Sequence, residues 1–159
     1  MTAPRYAVDH VGLTVPDVEQ ATAFFRDALG ATVRADIVTE PVAGPELETA
    51  LALPAGAVVR RVRMLDVGGG AGLELFEFTD VEQGAPARIQ DIGVQHLAVL
   101  VADIDEAVKR AVAAGATMLA DPQPIPGPEA GEGNVWAYCR LPWGGLMELL
   151  SKPSAPPSS

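Results

Sequence analysis

Two histidines and two glutamates occupy matching places in this sequence. His10 and His96 are the only histidines. Each is followed, 64 and 52 residues later, by a Glu-Leu pair in an apolar stretch, at Glu74 and Glu148. Imidazole nitrogens and carboxylate oxygens suit Zn²⁺, Ni²⁺, Co²⁺, Mn²⁺ or Fe²⁺, and four such ligands on an octahedral ion leave two positions for water or substrate oxygens. If the four side chains converge, they form a site for one divalent metal ion.

The histidines mark an internal repeat. The segment DHVGLTVPDVEQATAFFRDALGAT, residues 9–32, returns as QHLAVLVADIDEAVKRAVAAGAT at residues 95–117. The offset is 86 residues at the histidines and 85 at the glycines Gly30 and Gly115, which is the kind of slip that duplication followed by drift leaves. Two modules related by a pseudo-twofold axis would bring both histidines and both glutamates to one place.

The first copy has the pattern of a β-α-β-β-β module. Alternating apolar residues predict strands, and an apolar stripe that begins after Asp17 and ends at Gly30 predicts a helix. An insertion at 40–56, with Pro45 opening a short helix, explains the longer spacing from histidine to glutamate. The predicted strands are 6–15, 31–38, 58–67 and 73–78.

The second copy repeats this order, with a helix that begins at Asp103 and ends at Gly115. Its predicted strands are 94–101, 117–119, 135–141 and 146–150. The segment 121–134 holds four prolines and three glycines, so we expect an irregular, mobile loop that orders over the cleft when ligand binds. The segment 40–56 also flanks a metal-bearing strand, and we expect the same of it.

The predicted fold class is α+β, with two repeated β-α-β-β-β modules that form cupped, mixed or antiparallel sheets around a metal cleft. The predicted divisions are a first module at 5–79, a linker at 80–92, a second module at 93–152 and a disordered tail at 153–159.

Composition narrows the class of protein. The chain has 159 residues, of which 48% are apolar, and a net charge of −10. This charge argues against nucleic acid or an anionic membrane as a partner. Cys139 is the only cysteine, which excludes an intrachain disulfide. No apolar run approaches the ~18 residues of a membrane span, so the chain is predicted to be soluble and cytoplasmic.

The repeated modules with their H…E…H…E pattern resemble the vicinal oxygen chelate superfamily. This superfamily includes glyoxalase I, methylmalonyl-CoA epimerase, cyclitol-ketone epimerases, extradiol dioxygenases, and fosfomycin and bleomycin resistance proteins. The pieces that carry the resemblance are DHVGLTVPDVEQATAFFRDALG, GLELFEF, QHLAVLVADIDEAV and PWGGLMELLS. The resemblance implies a homodimer and a metal ion held by His10, Glu74, His96 and Glu148, within one chain or across two.

A metal ion with two open positions can bind two neighbouring substrate oxygens and acidify the C–H next to a carbonyl. We therefore predict an isomerase, an epimerase or a glyoxalase-type lyase that moves a proton through an enediolate stabilised by the metal ion. A small hydroxy-ketone, such as a cyclitol ketone, or an acyl-CoA or hemithioacetal would be the substrate. By resemblance to glyoxalase I, Glu148 or Glu74 is both ligand and catalytic base, and the sequence does not choose between them.

Two other functions compete with this one. An extradiol dioxygenase would hold Fe²⁺ through His10, His96 and Glu148, and the presence of Glu74 as a fourth ligand counts against it. A non-catalytic protein that sequesters an antibiotic is the second competitor. Such members of the superfamily commonly lack metal ligands, whereas all four are present here.

Other polar and aromatic residues have simpler interpretations. Glu77 points to the strand face opposite Glu74 and is predicted to be solvated or at an interface. Arg61 and Arg63 share one face of a strand, where a solvated sheet edge is favoured over binding of a substrate carboxylate or phosphate. Cys139 and Trp136 are predicted to be packing residues.

Overall fold

The structure, a computed structural model, describes residues 7–154. Its elements follow the predicted order. The first module comprises β1 (His10–Thr14), α1 (Val18–Leu29), β2 (Thr32–Val38), α2 (Pro45–Leu51), β3 (Val58–Asp66) and β4 (Gly72–Thr79). The second comprises β5 (His96–Leu100), α3 (Ile104–Ala113), β6 (Thr117–Met118), β7 (Gln123–Pro124), β8 (Val135–Arg140) and β9 (Leu146–Ser151). Tyr6, where the first predicted strand begins, and residues 155–159 of the predicted tail lie outside the described residues.

The described chain divides into two compact units. The first runs to Gln83 without residues 27–29, and the second contains those three residues and the chain from Gly84 onward. The predicted linker is therefore shared between the units. Within residues 7–154, none of the helices has the length and apolar character needed to cross a membrane.

Each unit contains one mixed sheet whose first strand pairs in parallel with its last. The strand order is β1-β4-β3-β2 in the first unit and β5-β9-β8-β6 in the second, where β7 also pairs with β8. The remaining pairs are antiparallel, including the hairpins β3–β4 and β8–β9. The predicted α+β class with mixed and antiparallel sheets is confirmed.

The helices begin at the repeated aspartates. The Asp17 carboxylate accepts the N–H of Gln20 at 2.8 Å, and Asp103 accepts that of Glu106 at 3.0 Å. These bonds satisfy N–H groups that a helix start leaves without a partner. Gly30 ends α1 in the left-handed conformation, with φ of 73°, which a residue without Cβ adopts without strain.

Glu77 is buried, so the prediction of a solvated or interfacial side chain is wrong. It is 3% exposed. One carboxylate oxygen accepts the N–H of Val18 at 3.0 Å, in the first turn of α1, and the other pairs with Arg60. A carboxylate at this end of a helix satisfies a free donor and meets the positive end of the helix dipole. Glu77 therefore ties α1 to β4.

The prediction of a solvated sheet edge for the arginines of β3 is also wrong. This strand lies between β4 and β2. The Arg63 side chain is only 10% exposed, and it donates to Asp36 at 2.6 Å and to Glu19 at 2.8 Å. Arg61 lies 3.6 Å from the other oxygen of Glu19. Arg63 thus joins β3 to α1 and β2, and its charge is already paired inside the fold.

The loop 121–134 is more ordered than its composition predicts. Residues Gln123–Pro124 form β7 along β8, and Gly127–Glu129 form a 3₁₀ turn. Asn134 is buried, donates to the Glu129 carbonyl at 2.9 Å and accepts the N–H of Ser154 at 3.0 Å. These bonds hold the loop and the start of the predicted tail to each other, which the count of prolines and glycines does not reveal.

Cys139 packs as predicted. It is completely buried, and this burial raises the pKa of its thiol to about 11.

Replacing Glu77 should destabilise the fold more than replacing an exposed glutamate. In Glu77→Ala the Val18 N–H loses its buried acceptor, which should lower the free energy of unfolding by about 2–3 kcal/mol. Glu77→Gln keeps an acceptor oxygen for this N–H and should lower the free energy of unfolding by less. Urea unfolding of both variants, with the exposed Glu82→Ala as control, measures the difference. Equal stability of Glu77→Ala and Glu82→Ala would show that the contact with Val18 is not stabilising.

Candidate active site

The first predicted pair of ligands meets across the parallel strands β1 and β4. In their register His10 lies opposite Gly72, and Gly12 lies opposite Glu74. Residues two apart on a strand share a face of the sheet, so both side chains point the same way. The Nε2 atom of His10 lies 3.2 Å from Oε2 of Glu74.

The second pair repeats this geometry in the same register. On β5 and β9, His96 lies opposite Leu146, and Ala98 lies opposite Glu148. The distance from Nε2 of His96 to Oε2 of Glu148 is 3.4 Å. The small residue opposite each glutamate, Gly12 or Ala98, leaves room beside the carboxylate. We call the His10–Glu74 pair half-site 1 and the His96–Glu148 pair half-site 2.

The structure thus brings the four predicted ligands together two by two. Among residues 7–154, no group of three or more His, Cys, Asp or Glu side chains is placed to hold a metal ion.

Both imidazoles are oriented by the residue that precedes them. The Nδ1–H of His10 donates to Asp9 at 2.8 Å, and that of His96 donates to the side-chain oxygen of Gln95 at 2.7 Å. A metal-binding histidine typically makes such a bond through its second nitrogen, because the bond fixes the tautomer and the ring orientation. In both half-sites Nε2 is left facing the glutamate. An oxygen-bearing side chain directly before each repeated histidine is the sequence signal for this orientation.

Arg34 supports the orientation of half-site 1. Its Nε donates to Asp66 at 2.7 Å, and its Nη1 lies 3.9 Å from Asp9. Gly72 permits this arrangement, since a Cβ there would stand 3.1 Å from Nη2 of Arg34 and 2.9 Å from a backbone oxygen. The hydrogen bond that His10 donates to Asp9, and after it the negative charge of Glu74, raises the pKa of His10. The same bond lowers the pKa of Asp9.

The donor set fits a divalent transition metal. Ligands about 2.1 Å from such an ion stand about 3.0 Å apart at right angles and about 3.4 Å apart at the tetrahedral angle. The nitrogen-to-oxygen separations of 3.2 and 3.4 Å fall in this interval. The side chains of Glu74 and Glu148 are only 18% and 15% exposed, so neither is an ordinary solvated carboxylate.

Half-site 2 has an aromatic neighbour that the sequence analysis missed. Tyr138 lies opposite Glu148 in the β8–β9 register, and its hydroxyl is 3.4 Å from Nε2 of His96. Its ring meets those of His96 and Trp136 edge to face, with centroids 5.3 and 5.4 Å apart. Burial, and then the negative charge of Glu148, raise the pKa of Tyr138.

A groove of about 320 Å³ opens beside half-site 2 and is lined by Glu148, Trp136 and Tyr138 among others. Trp136 was predicted to be a packing residue, and the structure places its half-buried ring in the wall of this groove. The alternation of Trp136 and Tyr138 along β8 is the signal for this arrangement, because it puts both rings on the face that carries Glu148.

The sequence profile of the Glyoxalase/Bleomycin resistance protein/Dioxygenase superfamily matches residues 9–135. The chain belongs to this superfamily, as the repeated motif predicted.

A curated relative narrows the class further. The chain is 39% identical over 154 residues to a 2-epi-5-epi-valiolone epimerase from Actinomyces sp., an alignment that covers 95% of this chain and 82% of the relative. The relative supports the predicted class of enzyme, an epimerase.

Solved structures share the fold at low sequence identity. A glyoxalase family protein from Bacillus cereus superposes with a TM-score of 0.73 at 21% identity, covering 96% of this chain and 98% of that protein. The fosfomycin resistance protein FosX from Listeria monocytogenes gives 0.59 at 17% identity, with coverage of 93% and 94%. A FosX mutant with a TM-score of 0.56, at 18% identity and with coverage of 94% and 90%, was solved with Mn(II) and a dihydroxypropylphosphonic acid. Divalent metal binding thus occurs in the superfamily.

The raised pKa of His10 should depend on Asp9. Asp9→Asn replaces the carboxylate acceptor by a neutral one, so the imidazolium loses its main stabilisation and the pKa of His10 should fall toward its ordinary value. NMR titration of the His10 imidazole in metal-free protein measures this change. An unchanged His10 titration would mean that Asp9 does not hold this ring.

Proposed function

We propose that half-sites 1 and 2 supply the four protein ligands of one divalent metal ion, His10, Glu74, His96 and Glu148. The observation that carries this proposal is the identical register of the two parallel strand pairs, which gives each copy of the repeat one oriented Nε2 beside one partly buried carboxylate oxygen. Zn²⁺, Ni²⁺, Co²⁺, Mn²⁺ and Fe²⁺ all suit two imidazoles and two carboxylates.

We further propose that the enzyme epimerises 2-epi-5-epi-valiolone or a similar polyhydroxylated cyclic ketone at a carbon next to the carbonyl. The named activity of the relative at 39% identity supports this substrate class over acyl-CoA esters and hemithioacetals. The substrate must present a hydroxyl and a carbonyl oxygen on neighbouring carbons, since these are the two oxygens that the open metal positions would accept.

The residues of this chain have distinct tasks in such a reaction. When bound, the metal ion would act as a Lewis acid that polarises the carbonyl and acidifies the adjacent C–H. Glu148 or Glu74 removes the proton, and epimerisation is complete when a proton returns to the other face of the same carbon. Asp9 and Gln95 keep both imidazoles in place through their Nδ1–H groups. Trp136 and Tyr138 form the wall of the groove beside Glu148.

We also propose that the protein is a cytoplasmic homodimer. Three apolar side chains at or before the edge strand β5 are exposed, at 107% for Ile92, 78% for Val94 and 68% for Leu100. An exposed apolar strand edge of this kind is typically covered by another surface, and a second copy of the chain would cover it.

Removing any of the four ligands should weaken metal binding without unfolding the protein. Loss of a residue that orients a metal ligand typically lowers metal affinity about 10- to 100-fold, and we expect a loss of this size in Asp9→Ala and Gln95→Ala. The loss of affinity should be larger in the variants that remove a ligand, which are His10→Ala, His96→Ala, Glu74→Gln and Glu148→Gln. Competition with a chelating dye measures the affinities, with Glu82→Gln as control. Full metal occupancy in His10→Ala would refute the ligand assignment.

The metal-loaded enzyme should exchange one carbon-bound hydrogen with solvent. With 2-epi-5-epi-valiolone in D₂O, NMR should show deuterium at the carbon next to the carbonyl together with the epimeric product, without O₂. A shielded base can return part of the original proton, so product is scored beside exchange. With each variant saturated with metal, both signals should disappear in Glu148→Gln if this residue is the base, and in Glu74→Gln if that one is.

Oxygen consumption with a catechol, combined with neither exchange nor epimerisation, would exclude the epimerase and favour the dioxygenase.

A further inference from the structure

The second unit contains a cavity larger than the groove beside Glu148. Its volume is about 470 Å³, within the range of about 300–1,000 Å³ typical of small-molecule sites. Its wall is mostly apolar and aromatic, formed by Leu119, Leu146, Trp136 and Tyr138 among others. The charged groups of the wall include Asp121 and Arg140. A mostly apolar wall with a few polar groups is the usual composition of a ligand site.

This cavity and the groove share two residues. Trp136 and Tyr138 line both. The Nε1–H of Trp136 donates to the Pro124 carbonyl at 3.2 Å, which fixes the indole, and the Tyr138 ring lies edge to face between Trp136 and His96. A ligand in the cavity would therefore contact the same aromatic pair, in which Tyr138 touches His96 of half-site 2.

The charges around the cavity balance. Arg88, also in the wall, makes a two-point ion pair with Asp91, with Nη2 to Oδ1 at 2.9 Å and Nε to Oδ2 at 3.2 Å. Arg140 and Asp121 carry opposite charges. A site without net charge gives a strongly anionic ligand no electrostatic advantage, whereas a guanidinium and a carboxylate together can bond hydroxyls as donor and acceptor.

We propose that this cavity is the subsite for the ring of a neutral, polyhydroxylated cyclic substrate, whose apolar face packs on Trp136 while Asp121 and Arg140 bind its hydroxyls. Tyr138 is the positioning residue that donates a hydrogen bond to the substrate oxygen nearest His96. This inference rests on the proposed epimerase and adds where the non-reacting part of the substrate binds.

The repeat supports a special role for Tyr138. The residue opposite Glu148 is Tyr138, whereas the residue opposite Glu74 in the equivalent register is Met64. The copies have kept the histidine and the glutamate and differ at this neighbour. A thioether cannot donate a hydrogen bond, so only half-site 2 offers a hydroxyl, and Met64 provides a matched control position.

Binding to metal-free protein tests the subsite without turnover. The probes are 2-epi-5-epi-valiolone, myo-inositol and myo-inositol 1-phosphate, studied by calorimetry and by saturation-transfer NMR with irradiation of aromatic protons. Leu119→Trp should fill the cavity and abolish binding. Leu119 is 50% exposed, so this variant should fold, and Val112→Trp, at a site 49% exposed on α3, is the matched control. Tyr138→Phe should weaken binding about three- to tenfold, and Met64→Leu should leave it unchanged.

Several results would overturn the subsite. The first is that the wild-type protein does not bind the neutral probes, and the second is that Leu119→Trp binds them as tightly as the wild type. The third is an equal loss of affinity in Tyr138→Phe and Met64→Leu, and the fourth is tighter binding of the phosphorylated cyclitol than of the neutral one. In the metal-loaded enzyme Leu119→Trp should raise KM more than it lowers kcat. Normal epimerisation with an unchanged KM in Leu119→Trp would reject the subsite alone. Cavity-dependent binding without epimerisation would reject the proposed function and leave the subsite standing.

Discussion

The parallel pairing of the first and last strand of each module determines where the chemistry lies. A parallel pair cannot be closed by a tight turn, so the helix and two further strands of each module lie between β1 and β4, and between β5 and β9, along the chain. The register then places a histidine and a glutamate diagonally on one face. A shift by one residue would turn the glutamate to the other face of the sheet, so everything that holds this register also holds the half-site.

The opposite face of the same strands supplies that restraint. In β4, Leu73, Leu75 and Glu77 are buried and alternate with Glu74, and Glu77 bonds to the start of α1. In β9, Met147 and Leu149 are completely buried on either side of Glu148. Each glutamate therefore sits on a strand whose neighbouring positions are fixed by the core, which favours a preorganised site over one built on a loop.

The sequence predicted the elements well because their signals are local. Alternation of apolar residues, the caps at Asp17 and Asp103 and the stop at Gly30 each depend on a few neighbouring residues. The errors concern residues whose partners are distant. Glu77 and Arg63 were placed in solvent because their partners, the N–H of Val18 for Glu77 and the carboxylates of Glu19 and Asp36 for Arg63, lie 59, 44 and 27 positions away along the chain. Tyr138 was missed for the same reason, since only the strand register brings it to His96.

The two copies of the repeat have kept the histidine–glutamate pair and changed its surroundings. His10 bonds to a charged carboxylate supported by Arg34, and the neighbour opposite Glu74 is the apolar Met64. His96 bonds to a neutral amide, and the neighbour opposite Glu148 is a tyrosine. Carboxylates of one kind take different roles when their environments differ. An epimerase takes a proton from one face of a carbon and returns one to the other, and carboxylates in different surroundings can take these two roles. The divergence around the repeated histidine–glutamate pairs thus gives the two half-sites different surroundings while their geometry stays the same.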